Sequence, residues 1–288
     1  MSLMSGDSLI KRAFRERFAV AAINTQGGNY NIVRAIVETA EEERAPVILA
    51  AYEKNLEYYG FEWFGEYGRW VAEHASVPVI LHLDHASSLD YILQAIRYGF
   101  TSVMIDYSTK PLADNIEITK EVIRVARPLG ILVEAEIGEL QRLDDGGSAQ
   151  ENRNMVDPND VKEFLAACRP DMLAIGIGNA HGFYKGKPDI RVDLLKKVHA
   201  LAPDLPLVLH GTTGIPDEVV RECVANGIAK VNYGTIVRTL FLDNLKKGAE
   251  GGVDHKGHVW RVERFAKDAI KDEIRGIIRR VGSNGKAS

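Results

Sequence analysis

The chain lacks the features that mark secreted, membrane-spanning and nucleic-acid-binding proteins. Its 288 residues include two cysteines, Cys168 and Cys223, far apart and without CxxC spacing, so we expect no disulfide framework and a reducing compartment. No apolar run approaches the roughly 20 residues that span a bilayer, and residues 1–8 carry no apolar signal core. The net charge is −4 with no basic block, which argues against nucleic-acid and membrane partners. We therefore expect a cytoplasmic protein.

What the chain does contain is a repeated alternation of short apolar runs and amphipathic segments. Hydrophobic residues make up 45% and charged residues 26%, as in a globular protein with a large core. The apolar runs are continuous, as expected for strands covered on both faces. We predict eight strands: Phe18–Asn24, Pro46–Ala51, Val77–Asp84, Ser102–Asp106, Leu132–Ile137, Met172–Ile177, Leu207–His210 and Lys230–Tyr233.

Eight strand–helix units in about 230 residues predict an α/β fold, a (β/α)8 TIM barrel. The prediction is a single domain over residues 1–288, with a C-terminal helical extension at about 257–282. A doubly wound sheet is the alternative. Its dinucleotide-binding form is disfavoured because no GxGxxG motif follows the first strand.

The most informative motif is His82-Leu83-Asp84-His85, which ends the third predicted strand. Burying polar groups without partners costs roughly 2–7 kcal/mol each. A metal ion or a substrate would justify that cost.

Active sites of such barrels lie at the carboxyl ends of the strands, where this sequence places further polar residues. Imidazoles from three strand ends can converge on one cation and leave an open position, the arrangement of a catalytic zinc site. A histidine at a strand end can also be a hydrogen-bonded core residue. Carboxylates nearby can support the ligands or offer an alternate metal position. The strand-end residues are Asn24, His82, Asp84, His85, Asp106, Glu134, Glu136, His181, His210 and Asn232.

Two glycine- and hydroxyl-rich turns follow the last two strands. One is His210-Gly211-Thr212-Thr213-Gly214 and the other is Asn232-Tyr233-Gly234-Thr235. Backbone N–H groups and threonine hydroxyls in such turns can bind an oxyanion, and barrel enzymes commonly hold phosphate there. Either turn alone would be an ordinary strand–helix connection, but two beside a metal site predict phosphate binding.

Together these motifs resemble the class II, zinc-dependent ketose-bisphosphate aldolases, the fructose- and tagatose-bisphosphate aldolase family. The likeness runs from Phe18 to the C-terminal tail. The matching segments are Leu81–His85, Gly99–Asp106, Val133–Gly138, Asn179–Gly182 and His210–Pro216.

The resemblance implies residue roles and partners. His85, His181 and His210 become the zinc ligands, and Asp84 becomes the acid/base at the cleaved bond. The dihydroxyacetone phosphate half then lies against Gly182, Gly211, Thr212, Thr213 and Asn232–Thr235 (Asn232, Tyr233, Gly234, Thr235), with Asn24 as a further substrate contact. A monovalent cation, Na⁺ or K⁺, and a homodimer or homotetramer are further expectations.

The chemistry of the residues agrees with this role. Retro-aldol cleavage needs a base on the alcohol that becomes the aldehyde, which Asp84 can supply, and an electron sink at the ketone, which zinc can supply. No Schiff-base lysine is then needed, so we interpret Lys230 as structural.

The sequence departs from the family pattern around the substrate. Thr212 and Thr213 replace the usual small residues after the third histidine ligand, and Tyr52 replaces a serine. The proton-transfer glutamate of the family would fall on Asp144, one methylene shorter. We therefore expect cleavage of a ketose 1-phosphate or bisphosphate into dihydroxyacetone phosphate and an aldehyde, on a substrate that need not be the glycolytic one. The alternatives are a non-catalytic sugar-phosphate-binding paralogue and a metal-dependent barrel hydrolase.

Overall fold

A closed barrel of eight parallel strands organises the chain in the computed structural model, which describes residues 6–142 and 155–288. Neighbours in the barrel are also neighbours in sequence. The fold is therefore the predicted (β/α)8 barrel. Its strands are β1 (Val20–Asn24), β2 (Val47–Tyr52), β3 (Val79–Ala86), β4 (Ser102–Ile105), β5 (Leu132–Ile137), β6 (Met172–Ile175), β7 (Leu207–Leu209) and β8 (Ile228–Tyr233).

Helices surround the barrel and cover the outer faces of the strands. A 3₁₀ turn at Arg127–Leu129 and a π-helical turn at Gly248–Gly252 extend two of them. The helices are α1 (Gly6–Glu16), α2 (Tyr30–Glu42), α3 (Glu53–Tyr59), α4 (Phe61–His74), α5 (Leu89–Arg97), α6 (Leu112–Ala126), α7 (Pro158–Ala167), α8 (Val192–Leu201), α9 (Asp217–Ala225), α10 (Thr235–Lys247) and α11 (Val259–Arg280). Within the described residues, no helix is both long and apolar enough to cross a membrane.

The barrel interior is packed with apolar side chains and closed at its amino end. Inward-facing residues such as Ile80, Met104 and Met172 form one buried cluster with the apolar face of α1, which contributes Leu9 and Ile10. The sequence analysis did not predict α1. Its apolar face is the signal that could have identified it, because a short amphipathic helix needs a core to cover.

Most strand bounds differ from the predicted ones by one or two residues, and the surrounding elements add further detail. Strand β3 continues to Ala86, two residues beyond its predicted end. Helix α3 starts directly after β2, where no helix was predicted. The C-terminal segment forms a single helix, α11, which packs on α2 and α10.

Ion pairs join α11 to α2. The Glu38 carboxylate lies 2.7 Å from Lys267 Nζ and 2.8 Å from Arg34 Nη2. Burial raises the pKa of Glu38, but the hydrogen bonds from Lys267 and Arg34 outweigh it and leave the pKa below its ordinary value. Glu38 therefore stabilises the folded chain when it is ionised.

We predict that Lys267→Met lowers the free energy of unfolding at neutral pH by up to about 1 kcal/mol. Because the folded pKa of Glu38 is depressed, this contribution is complete above the ordinary glutamate pKa of about 4.3 and is lost as pH falls through the folded value. Urea unfolding followed by circular dichroism at neutral and strongly acidic pH measures it. The exposed Lys162→Met on α7 is the control. A wild-type-to-variant difference that persists in acid would contradict the assignment.

Candidate metal centre and active site

A cavity of about 280 Å³ opens where the barrel strands end. It brings together all nine predicted substrate residues, and its lining comes from the carboxyl ends of β1, β2, β3, β6, β7 and β8. The exceptions among the predicted site residues are His210, Asp106 and Glu136, which do not line it, and Asp144, which lies outside the described residues. The cavity is lined by Ala22, Asn24, Gln26, Tyr52, Lys54, Asn55, Asp84, His85, His181, Gly182, Gly211, Thr212, Thr213, Asn232, Tyr233, Gly234, Thr235 and Arg238.

A β-bulge in β3 sets the direction of its two functional side chains. Leu83 pairs with Val103 and Ala86 pairs with Ile105, so β3 carries one extra residue at this point. His85 has a φ of +50°, in the left-handed region that non-glycine residues rarely adopt. Consecutive residues of a regular strand point to opposite faces. The bulge breaks this alternation, and both Asp84 and His85 line the cavity.

Three imidazole rings meet beside Asp84. The ring centroids of His85 and His210 are 4.7 Å apart and those of His85 and His181 are 4.9 Å apart, with the rings steeply inclined. One nitrogen of each ring lies within 4.8 Å of those of the other two. His181 reaches this point from a two-residue strand, Ala180–His181, that pairs with Gln141–Arg142.

Carboxylates fix the orientation of two of these rings. His85 Nδ1 donates to Asp106 Oδ2 at 2.8 Å, and His210 Nε2 donates to Glu134 Oε1 at 2.8 Å. The other Glu134 oxygen lies 2.8 Å from the Lys230 ammonium, and the side chains of Lys230, Glu134 and His210 are fully buried. Lys230 therefore serves as a charge partner and does not line the cavity.

The remaining nitrogens, His85 Nε2 and His210 Nδ1, face each other at 3.0 Å. A protonated His85 donates from Nε2 to His210 Nδ1, and when both rings are neutral the same two nitrogens offer lone pairs to a metal ion. Burial lowers the pKa of His85, but the charges of Asp84 and Asp106 outweigh it and raise the pKa to about 9. Burial and the charge of His85 hold the pKa of His210 well below its ordinary value. Three imidazoles with carboxylate support fit Zn²⁺, which takes histidine ligands in open catalytic sites.

Asp84 is held as a carboxylate at the edge of this cluster. Its Oδ1 accepts a hydrogen bond from Asn232 Nδ2 at 3.0 Å and lies 3.9 Å from His85 Nε2. Burial raises the pKa of Asp84, but the neighbouring histidines and Lys230 outweigh it and leave the pKa lowered. His82 lies on the same strand with Nε2 4.0 Å from Asp84 Oδ1, and its Nδ1 is 2.8 Å from Ser102 Oγ.

A second group of possible ligands combines His85 with Asp106 and Glu136, whose donor atoms lie within 4.8 Å of one another. Burial and the charge of Asp106 raise the pKa of Glu136 well above its ordinary value. Hydrogen bonds from His85 and Ser108 outweigh burial and lower the pKa of Asp106. The surroundings thus shift the pKa values of Glu136 and Asp106 in opposite directions.

The glycine- and threonine-containing turns both line the cavity. A Cβ on Gly211 would come within 2.3 Å of the Ala180 carbonyl oxygen, so only glycine fits there. The Thr212 hydroxyl donates to the Asn232 carbonyl and so joins the two turns. The backbone of the turns and Thr235 then remain to meet an oxyanion.

Several cavity residues are not among the predicted site residues. Gln26, Lys54, Asn55 and Arg238 all line the cavity, and each follows a strand end by two to five residues. That proximity to strand ends was the available signal.

The model of the class-II fructose-bisphosphate aldolase family matches residues 4–286. The chain is 35% identical to the fructose-bisphosphate aldolase of Geobacillus stearothermophilus, with 100% of both chains covered. It is 33% identical to the 6-phospho-5-dehydro-2-deoxy-D-gluconate aldolase of Bacillus subtilis strain 168, over 100% of this chain and 98% of the relative. The crystal structure of the YdjI aldolase from Escherichia coli K12 superposes with a TM-score of 0.85, at 31% identity and 98% coverage of each chain.

Replacing Asp106, whose carboxylate accepts a hydrogen bond from His85, tests the candidate metal centre directly. We predict that Asp106→Asn lowers the affinity for Zn²⁺ by about 10–100-fold, the usual effect of losing a carboxylate that orients a ligand histidine. Competition with a chromogenic chelator measures the affinity. Asp114→Asn, at an exposed position on α6, is the matched control and leaves the affinity unchanged. Equal Zn²⁺ affinity of wild type and Asp106→Asn would contradict the assignment.

Proposed function

Because the chain belongs to the class II fructose-bisphosphate aldolase family and is therefore a carbon–carbon lyase, we propose that it performs a zinc-dependent, reversible aldol cleavage. Its substrate is a ketose 1-phosphate or ketose bisphosphate, and its products are dihydroxyacetone phosphate and an aldehyde. The observation that carries the proposal is the ionised Asp84 beside three convergent imidazoles.

Asp84 is the acid/base of this proposal. In the cleavage direction its carboxylate accepts the proton of the hydroxyl group on the carbon that becomes the aldehyde. The carbon–carbon bond then breaks and its electron pair moves toward the ketone. Asn232, which donates to Asp84 Oδ1, keeps this oxygen in place. The lowered pKa of Asp84 keeps it ionised at neutral pH.

His85, His181 and His210 are the residues that would hold the metal. A zinc ion bound there supplies a Lewis acid that polarises the ketone carbonyl. Asp106 and Glu134 hydrogen-bond one nitrogen of His85 and of His210, which turns the other nitrogens of the two rings toward each other. Asp106 and Glu136 remain an alternate position for the ion.

The phosphate of the dihydroxyacetone half is assigned to the turns after β7 and β8. The cavity that Asp84 borders is also lined by two glycines, Gly182 and Gly211, and by the hydroxyl-bearing Thr213 and Thr235. Asn24 lies on β1 between these turns and β2 and would contact the substrate. Return of a proton to carbon is assigned, by resemblance, to Asp144.

The relatives leave the substrate open, since one is named for a fructose bisphosphate and another for a phosphorylated dehydrodeoxygluconate. The proposal includes a monovalent cation, Na⁺ or K⁺, near the phosphate, and assembly as a homodimer or homotetramer.

Asp84→Asn tests the acid/base directly. We expect turnover to fall by about 10²–10⁴-fold, the usual range for removal of a general base, while zinc content stays at the wild-type level because the imidazoles are unchanged. Steady-state kinetics and elemental analysis measure the two effects. Asp114→Asn again serves as the control. A variant with wild-type turnover would reject the role of Asp84.

The reaction itself is tested by release of dihydroxyacetone phosphate from a panel of ketose phosphates. We expect release from at least one member, its loss on chelation, and its recovery on addition of Zn²⁺. Release that survives chelation, or that survives His85→Ala, contradicts zinc dependence. Zinc bound at the centre with no release from any substrate favours the sugar-phosphate-binding alternative.

A further inference from the structure

Tyr184 is a half-buried side chain close to the metal centre that the proposed reaction does not use. Its hydroxyl accepts a hydrogen bond from the Ala180 amide and donates one to the Gly211 carbonyl, both at 2.8 Å. Burial raises the pKa of Tyr184 to about 12, against the opposing effect of the Ala180 amide, so the hydroxyl keeps the proton that it donates. One hydroxyl therefore joins the β6 loop (residues 176–191) to the β7 turn (residues 210–216).

The β6 loop and the β7 turn are in close contact at this hydroxyl. Asn179 donates from Nδ2 to the His210 carbonyl at 3.0 Å, which is a second hydrogen bond between the two segments. The Ala180 carbonyl oxygen lies so near Gly211 that a Cβ there would come within 2.3 Å of it. The two backbones are thus docked on each other, and Tyr184 satisfies a polar group of each.

Both ligands of the proposed reaction span the same junction. The candidate metal centre takes His181 from the β6 loop and His210 from the β7 turn. The phosphate is assigned to a part of the cavity that Gly182 of the β6 loop and Gly211 of the β7 turn both line. Metal and phosphate therefore require the same docked arrangement of the two segments, and Tyr184 holds that arrangement.

We propose that Tyr184 is a positioning residue that docks the β6 loop on the β7 turn for zinc and phosphate together. The inference rests on the proposed aldolase function and adds a coupling between its metal and phosphate sites. A ligand that binds only the docked segments stabilises the docking, so the second ligand binds a junction that is already formed. In the wild type the hydroxyl docks the segments in advance. Without it, the first ligand to bind has to supply the free energy of docking.

Tyr184→Phe removes the hydroxyl and keeps the ring. We expect its affinities for Zn²⁺ and for methyl phosphate, a probe without a carbonyl group for the metal, to fall by the same factor, about tenfold. The reason is that the Ala180 amide and the Gly211 carbonyl both lose their partner. Chelator competition and titration calorimetry measure the two affinities. Tyr58→Phe, at an exposed position on α3, is the matched control and changes neither.

Rescue of one ligand by the other distinguishes this coupling from local damage. With saturating methyl phosphate, the Zn²⁺ affinity of Tyr184→Phe returns to within about twofold of the wild type under the same conditions. If the variant loses affinity for one ligand only or for neither, or if methyl phosphate does not restore Zn²⁺ binding, the role of Tyr184 is wrong and the aldolase function stands. A wild type that binds neither Zn²⁺ nor methyl phosphate overturns both.

Hydrogen exchange of the Ala180 amide tests the same coupling in the wild-type chain, without a variant. This amide exchanges when the β6 loop leaves the β7 turn and its hydrogen bond to Tyr184 breaks. We expect Zn²⁺ alone and methyl phosphate alone each to slow the exchange, because either ligand suppresses undocking. Slowing by only one of the two ligands contradicts the proposal.

Discussion

The site depends on a fully buried network in which Glu134 links Lys230 to His210. These side chains come from β8, β5 and β7, and each link is 2.8 Å long. Breaking such a buried pair by removing one partner costs about 3–5 kcal/mol. The Lys230 ammonium offsets the free-energy cost of burying the Glu134 carboxylate. Glu134 in turn sets the tautomer of His210 and turns its Nδ1 toward His85. The orientation of His210 in the candidate metal centre is thus set by residues of the barrel wall.

The surroundings of Asp84 and Glu136 shift the pKa values of these two carboxyl groups in opposite directions. Asp84 faces imidazoles and an amide, and its pKa is lowered. Glu136 is buried close to Asp106, and its pKa is raised. Pairs of titratable groups whose surroundings push their pKa values apart are a common source of distinct acid and base functions in one site. Here the group with the lowered pKa, Asp84, borders the cavity, while the group with the raised pKa, Glu136, does not line it.

The sequence predicted those parts of the protein that follow from periodicity and strand ends. Continuous apolar runs predicted the barrel, and the carboxyl ends of the strands predicted that imidazoles from three strands would meet. The family resemblance identified them as His85, His181 and His210, and these rings do lie together. The sequence could not predict the bulge at Asp84 and His85, because the pairing of β3 with β4 is a tertiary property. Nor could it assign Lys54 to the cavity, since an exposed lysine on a short helix has the same local pattern as any solvated residue.

The left-handed backbone at His85 has an evolutionary consequence. This conformation costs a side-chain-bearing residue about 1–2 kcal/mol, a penalty that glycine avoids. A descendant relieved of its chemistry would gain stability by replacing His85 with glycine, so selection for stability and selection for activity pull in opposite directions at this position. The histidine is therefore a marker of maintained activity, and its replacement would be an early sign that a related chain had become a binding protein.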